Sequence, residues 1–150
     1  MSDASHIHRA IQIEPHLPDL ASFKRLRAET EWGVPNDSLI KLALENSLFG
    51  AIAINGSQTV GMIRIVGDGG LNLYIQDVIV AKSFRGDGIG RSLIQAAIQW
   101  MQETVDPSAS VGLMAATGQS EFYETFGFIG RPGPGFGPGM QARNSDLRPK

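Results

Sequence analysis

Apolar residues fall at alternate positions over residues 7–13, the two-residue period of a strand with one buried face. Pro15 and Pro18 punctuate that run, and Asp19 stands where a carboxylate can cap a helix. The helix expected from there to about Thr30 carries Leu20, Phe23, Leu26 and Arg27 near one face. Trp32-Gly33-Val34-Pro35 breaks it, and a second helix can start at Asp37 or Ser38 with Leu39, Ile40, Ala43 and Leu44 as its apolar stripe.

Residues 48–54 read as a strand, Asn55-Gly56 as a tight turn and residues 59–66 as the antiparallel partner, since Asn-Gly between apolar runs is a strong hairpin signal. Asp68-Gly69-Gly70 makes a second turn before a third strand over residues 71–80. A helix from Gly90 to about Met101 places Leu93, Ile94, Ala97, Ile98 and Met101 on one face. A short buried strand at 111–115 and a brief helix at 120–125, closed by Gly127, follow. Residues 130–139 hold five glycines and three prolines, which excludes a regular helix and predicts either a shaped loop or a loose tail, with one more strand at 140–143. Strands and helices mixed in this order predict an α+β chain built on one mostly antiparallel sheet.

The 150 residues are the size of one domain, 1–150. At that length folding buries about 70% of the surface that the unfolded chain exposes, so one hydrophobic core suffices. An apolar fraction of 42% and a charged fraction of 19% are those of an ordinary globule. A formal net charge of −2 gives no long-range attraction to nucleic acid or to acidic membranes. The absence of cysteine excludes disulfides and thiolate-bound metals. No long apolar run and no basic-then-apolar start mark a membrane span or a signal peptide, so a cytoplasmic protein is the expectation. His6, His8 and His16 are the only histidines and no further ligand completes a set, so no metal site is expected.

The chemistry concentrates at Val80-Ala81-Lys82-Ser83-Phe84-Arg85-Gly86-Asp87-Gly88-Ile89-Gly90-Arg91. A strand rich in branched residues ends at Val80, an amphipathic helix begins near Gly90, and three glycines occupy every second position between them. Glycine lets a backbone curl close to a ligand. The first amides of a helix have no internal acceptor and, with the helix dipole, form an anion site suited to phosphates. Arg85 and Arg91 add positive charge. Glycines at 86, 88 and 90 do not match the dinucleotide spacing, and no Gly-Lys-Ser/Thr marks a nucleotide-triphosphate loop. The competing interpretation is a strand-to-helix turn with no ligand.

The run from Arg85 to Gly90 resembles the Arg/Gln-x-x-Gly-x-Gly/Ala motif of the GNAT superfamily of N-acetyltransferases. Residues 75–80 are similar to that family's fourth strand. Glu121-Phe122-Tyr123-Glu124-Thr125-Phe126-Gly127-Phe128 resembles its Phe-Tyr-x-x-x-Gly-Phe signature. The resemblance covers about residues 48–129. It implies a mixed, mostly antiparallel sheet of six to seven strands with splayed central strands, flanked by about four helices. It implies acetyl-CoA as co-substrate and an amine as acceptor, with transfer by direct attack in a ternary complex. On this resemblance the cofactor-binding residues are Val78, Ile79, Val80, Arg85, Gly86, Asp87, Gly88, Ile89, Gly90 and Arg91, the pantetheine arm lying along the strand and the pyrophosphate at the turn. Tyr123 matches the tyrosine that protonates the departing thiolate; its alternative is a core aromatic with a satisfied hydroxyl.

Many family members carry an asparagine about seven residues before that tyrosine, and Ala116 stands there. The positions of family bases are held by Tyr74 and Gln76, neither suited to the task. Asp77 is the nearest carboxylate, but strict alternation turns it to the other face unless a bulge redirects it. Its two roles are general base or structural hydrogen-bonding partner, with water-relayed deprotonation as the alternative to a side-chain base. Glu29, Glu31 and Trp32 are the candidate acceptor-binding residues for a cationic, partly apolar amine, against the alternative of solvated charges and a packing indole. The function expected is N-acetyl transfer to a small primary amine by a monomer or homodimer. The alternatives are a peptide or protein acceptor, or a non-catalytic acyl-CoA-binding regulatory module.

Overall fold

A computed structural model describes residues 10–149. Two compact units divide the chain, Met1–Leu113 and Met114–Lys150.

The first unit is a five-stranded sheet in the order β1-β2-β3-β4-β5, with three helices. Its strands are β1 (Gln12–Glu14), β2 (Phe49–Asn55), β3 (Gln58–Gly67), β4 (Asn72–Val80) and β5 (Ser110–Gly112). The helices are α1 (Leu20–Ala28), α2 (Asp37–Glu45) and α3 (Ile89–Thr104). β1 to β4 pair antiparallel, and β5 joins β4 in parallel. The chain is therefore α+β with a mixed sheet, but of five strands among the described residues, not six to seven. The first predicted strand narrows to Gln12–Glu14, and residues 7–9 lie outside the described residues.

Asp19 caps α1, its carboxylate accepting the Ser22 N–H at 2.7 Å. α2 starts at Asp37, one of the two predicted starts, with Asn36 as its cap, Oδ1 accepting from Leu39 N–H at 3.0 Å. The β2–β3 turn is displaced by one residue. Asn55 pairs with Gln58, so Gly56 and Ser57 form the loop, and Gly56 takes the positive φ of 65° that a tight hairpin demands.

The sheet is covered on both faces. α1 and α2 bury Phe23, Leu26 and Ile40 with Ile52, Met62 and Ile79. On the other face small residues admit α3: a Cβ on Gly61 would lie 3.1 Å from Leu93 Cδ1 and 3.3 Å from the Ala53 Cβ. Trp100 of α3 stacks on Phe49 at 5.1 Å. Close packing of this kind fixes the helix whose N-terminus matters below.

The second unit contains α4 (Ser120–Glu124) and an extended tail. Around α4, Tyr123 meets Phe122 and Phe128 edge-on, and Phe122 meets Phe126 in the same way. The glycine–proline segment is a shaped turn. Gly133 and Phe136 exchange main-chain hydrogen bonds of 3.0 and 2.9 Å across Pro134 and Gly135, and Gly135 has φ 79°. Proline followed by a left-handed glycine is the sequence such a turn selects. Arg131 closes it, with Nε on Gly137 C=O at 2.7 Å and its guanidinium over the Phe136 ring. Residues 140–143 form no strand: Met140 is 90% exposed and Pro138 lacks a donor, so neither a buried face nor a complete ladder is available. A single turn of 3-10 helix, Asn144–Asp146, follows instead.

Candidate active site

β4 carries the site, and its irregularity shapes it. Met62 pairs with Ile79 and Arg64 with Gln76, so Asp77 and Val78 together stand opposite the single residue Ile63. This is a bulge, and Asp77 takes φ 53°, the one non-glycine residue at positive φ among those described. Gly61, opposite Val80, faces α3, and Met62, opposite Ile79, faces α1 and α2. Unbroken alternation from Ile75, which pairs with Ile65, would turn Asp77 toward α3. The bulge brings it to the α1–α2 face.

There the Asp77 side chain is fully buried, and each oxygen has its own cation. Arg27 Nη1 donates to Oδ1 and Arg64 Nε to Oδ2, both at 2.8 Å. Arg27 also donates to the carbonyls of Gly33 (Nε, 2.9 Å) and Trp32 (Nη2, 3.3 Å), with its guanidinium over the indole of Trp32. Arg64 Nη1 reaches Ser47 Oγ at 3.1 Å and the Ala43 carbonyl at 3.4 Å. The two arginines were not singled out from sequence as site residues. Their signals were an arginine on the apolar face of α1 and another sharing the inward face of β3 with Met62.

Beyond Tyr74 the outer edge of β4 has no strand partner among the described residues, because β5 pairs only with Asn72, Leu73 and Tyr74. Ala81 N–H donates to Val60 C=O at 2.8 Å, so the main-chain groups of Val80 turn to the open edge, where Val80 C=O accepts from Arg85 Nε at 3.0 Å. Ile79 sends its side chain into the core. Tyr74 is half-buried, and that burial raises its phenol above the usual value near 10.

A single 3-10 turn, Lys82–Phe84, leads from β4 into the glycine turn. Gly86 has φ 90° and Gly88 φ 80°, conformations glycine adopts freely. No atom lies within 4 Å of where a Cβ would stand on either, so the turn faces open space. Gly88 caps α3, and Ser92 N–H to Gly88 C=O at 3.1 Å is the first bond of the helix. The amides of Ile89 and Gly90 thus have no acceptor within α3. Arg85, Asp87 and Arg91 are exposed around the turn, while Ile89 is buried and anchors it.

The candidate acceptor residues follow α1. Glu29 Oε2 accepts the Lys82 N–H at 2.7 Å, which ties the end of α1 to the start of the turn. Glu31 is exposed, and the Trp32 side chain is about half exposed at 48%. In the second unit, burial raises the Tyr123 phenol above its usual value, so it holds its proton at neutral pH. Among the described residues no cluster of three or more His, Asp or Glu side chains is placed to hold a metal. No helix there is long and apolar enough to cross a membrane.

The open edge of β4 thus runs into the glycine-capped N-terminus of α3. The acetyltransferase (GNAT) domain model matches residues 33–136, more than half of the chain, and the chain belongs to that family. An uncharacterised N-acetyltransferase, ycf52, of Pyropia yezoensis is 32% identical over 97 residues, which make up 62% of this chain and 55% of the relative. The chain thus spans about half the length of the curated relatives it matches. A GNAT-family acetyltransferase from Streptococcus pneumoniae is 31% identical, with 80% of this chain and 88% of that one covered and a TM-score of 0.66. A probable acetyltransferase of unknown function from meticillin-resistant Staphylococcus aureus has the same fold. Its TM-score is 0.79 at 24% identity, with 89% of this chain and 98% of that one covered.

Proposed function

We propose that the chain is an acetyl-CoA-dependent N-acetyltransferase acting on a small primary amine, and that residues 1–150 work as one domain. The family match supports the single domain by running through the division between the two units. The observation that carries the activity is the open β4 edge leading straight into the left-handed glycines at the start of α3.

Residues on this path fit coenzyme A. An extended chain bearing amides can add to a free strand edge as another strand does. Val78 and Val80 would offer it main-chain groups, whereas those of Ile79, paired with Met62, turn to β3. The amides following Gly86 and Gly88 would hold the pyrophosphate, with Arg85 and Arg91 beside it. Each hydrogen bond to a charged oxygen is worth about 1.5–3 kcal/mol, so a few suffice to anchor a diphosphate. When bound, the cofactor supplies an acetyl thioester, and its transfer to an amine leaves a thiolate.

Tyr123 is our donor to that thiolate, on the strength of its motif. Reference pKa values near 10 for tyrosine and 8.5 for a thiol make full transfer uphill by about 2 kcal/mol. Burial raises the Tyr123 value and widens that gap. A hydrogen bond that tightens as charge develops is therefore the better description of its action. Asp77 serves poorly as base, since both its oxygens are engaged by guanidinium groups. The amine proton leaves through water in our account, and Glu29, Glu31 and Trp32 line the acceptor side.

Calorimetry with coenzyme A and acetyl-CoA, followed by thiol release with a panel of amines and short peptides, tests the proposal. Binding with turnover on small amines supports it. Turnover on peptides alone moves the acceptor class to protein N-termini or lysines. Binding without turnover makes the chain a sensing module, and no binding ends the acyl-CoA account.

A further inference from the structure

Asp77 sits on β4 with no solvent exposure at its side chain, and proton transfer as proposed does not use it. A carboxylate in that position needs both oxygens satisfied, and two arginines satisfy them. Neither arginine spends its remaining donors at random. Arg27, whose side chain is only 14% exposed, holds the carbonyls of Trp32 and Gly33 on the loop after α1. Arg64, 12% exposed, reaches Ser47 and the Ala43 carbonyl at the C-terminal end of α2, where the helix dipole favours a cation. One carboxylate thereby gathers β3, the bulged β4, the α1–α2 loop and the end of α2. A buried ion cluster of this kind is weak support for stability, and fixing a geometry is its better-attested use.

We propose that the Arg27–Asp77–Arg64 cluster is a positioning device that holds the Trp32-bearing loop in register with the bulged part of β4. Asp77 is the fixed point, because its bulge turns the carboxylate toward α1 and α2. Arg27 is the arm that carries the register to the loop. The inference rests on the acetyltransferase reading only in taking that loop as a wall of the acceptor site. Loss of the arm lets the loop drift while the glycine turn at Gly86 and Gly88 keeps its shape, so acceptor handling suffers and coenzyme A binding does not.

Trp32 reports on the loop directly, since Trp32 and Trp100 are the chain's two tryptophans. In a Trp100→Phe background, acrylamide quenching of Trp32 is compared for the parent, Arg27→Met, Arg27→Lys and Asp77→Asn. Acceptor KM, kcat and coenzyme A Kd are measured alongside. Arg27→Met should raise quenching toward that of a free indole and raise acceptor KM about tenfold or more, with the coenzyme A Kd within about twofold of the parent. Arg27→Lys restores the charge beside Asp77 but cannot span the carboxylate and two carbonyls, so it should leave quenching high. Lys24→Met, which removes an exposed ion pair with Asp37, is the control and should change neither quantity.

Unchanged quenching and unchanged acceptor KM in Arg27→Met overturn the proposal. Recovery of both by Arg27→Lys overturns it as well, reducing the cluster to charge neutralisation. Should Asp77→Asn fail to fold, Arg27→Met decides alone, because it leaves Asp77 its Arg64 partner. A parent that binds no coenzyme A sinks the acetyltransferase reading, and the quenching comparison still decides whether the cluster holds the loop.

Discussion

Tyr123→Phe separates chemistry from folding more cleanly than any other single change in this chain. The ring meets Phe122 at 5.1 Å and Phe128 at 6.2 Å, both edge-on, and a phenylalanine keeps those contacts. Among the described residues Tyr123 hydrogen-bonds only through its main chain, to Gln119, Thr125 and Phe126. Deleting the hydroxyl leaves no protein group unpaired, so the cost in stability should stay under about 1 kcal/mol, or about 2–4 °C in Tm for a chain of this size. The catalytic cost is larger. A hydrogen bond to a developing thiolate is worth about 1.5–3 kcal/mol, which at 1.36 kcal/mol per decade is about 10- to 10²-fold in rate. General-acid assistance carries the expected loss in kcat to about 10²-fold or more.

The assay is thiol release at saturating acetyl-CoA with the best amine of the screen, together with calorimetric Kd for coenzyme A and a thermal melt. We expect kcat to fall while Kd and Tm hold. Burial raises the Tyr123 value above 10, so the proton that the donor must keep is lost only above that pH. The parent rate should therefore show no downward limb from Tyr123 below about pH 10. A variant with kcat within about twofold of the parent, folded and binding coenzyme A normally, would remove Tyr123 from the mechanism.

Three further outcomes follow from local geometry. Gly88→Ala places a Cβ in open space but at φ 80°, so the cost is backbone strain of about 1–2 kcal/mol, read in a urea melt together with a coenzyme A Kd weakened about tenfold. Gly67→Ala combines φ 145° with a Cβ 2.2 Å from the Asn72 carbonyl oxygen, and a loss of about 3 kcal/mol or more is expected from the same melt. Asp19→Ala removes the α1 cap at a cost of about 1 kcal/mol, or about 2–4 °C in Tm. The Ser22 hydrogen bonds hold the Asp19 carboxyl below its usual value, so the cap's contribution is full above the unfolded value of 3.8 and fades as pH falls through the lower folded one. Parent and variant melts should then converge at acid pH, and a gap that persists unchanged below about pH 2 would contradict this origin.

Much of the fold was legible because periodicity and caps report on local energetics. Leu93, Ile94, Ala97 and Met101 repeat at helical spacing and are all buried in α3, and Asp19 caps α1 as expected. The misses have local causes too. Asn55-Gly56 marks the β2–β3 hairpin but not its frame, which the shift in pairing at Ala53 and Ile54 sets one residue later. The tail was ambiguous because glycine and proline fix a turn only when something closes it, and Arg131 does so from six residues away.

Asp77 marks where local reasoning ends. An acid among branched residues signals that something must neutralise it, yet no spacing rule connects residue 77 with residues 27 and 64. Alternation alone gives the wrong face, and the bulge that corrects it carries no glycine to announce it, since an aspartate occupies the left-handed position. Aspartate tolerates that backbone better than most residues, and here its carboxylate is also the group that two arginines require. One residue type therefore answers two demands that arise on different levels, the local bend of β4 and the long-range pairing across the sheet face. Asp77→Gly keeps the first and deletes the second; if acceptor KM and Trp32 quenching both change in it, the ion cluster and not the bend alone sets the loop.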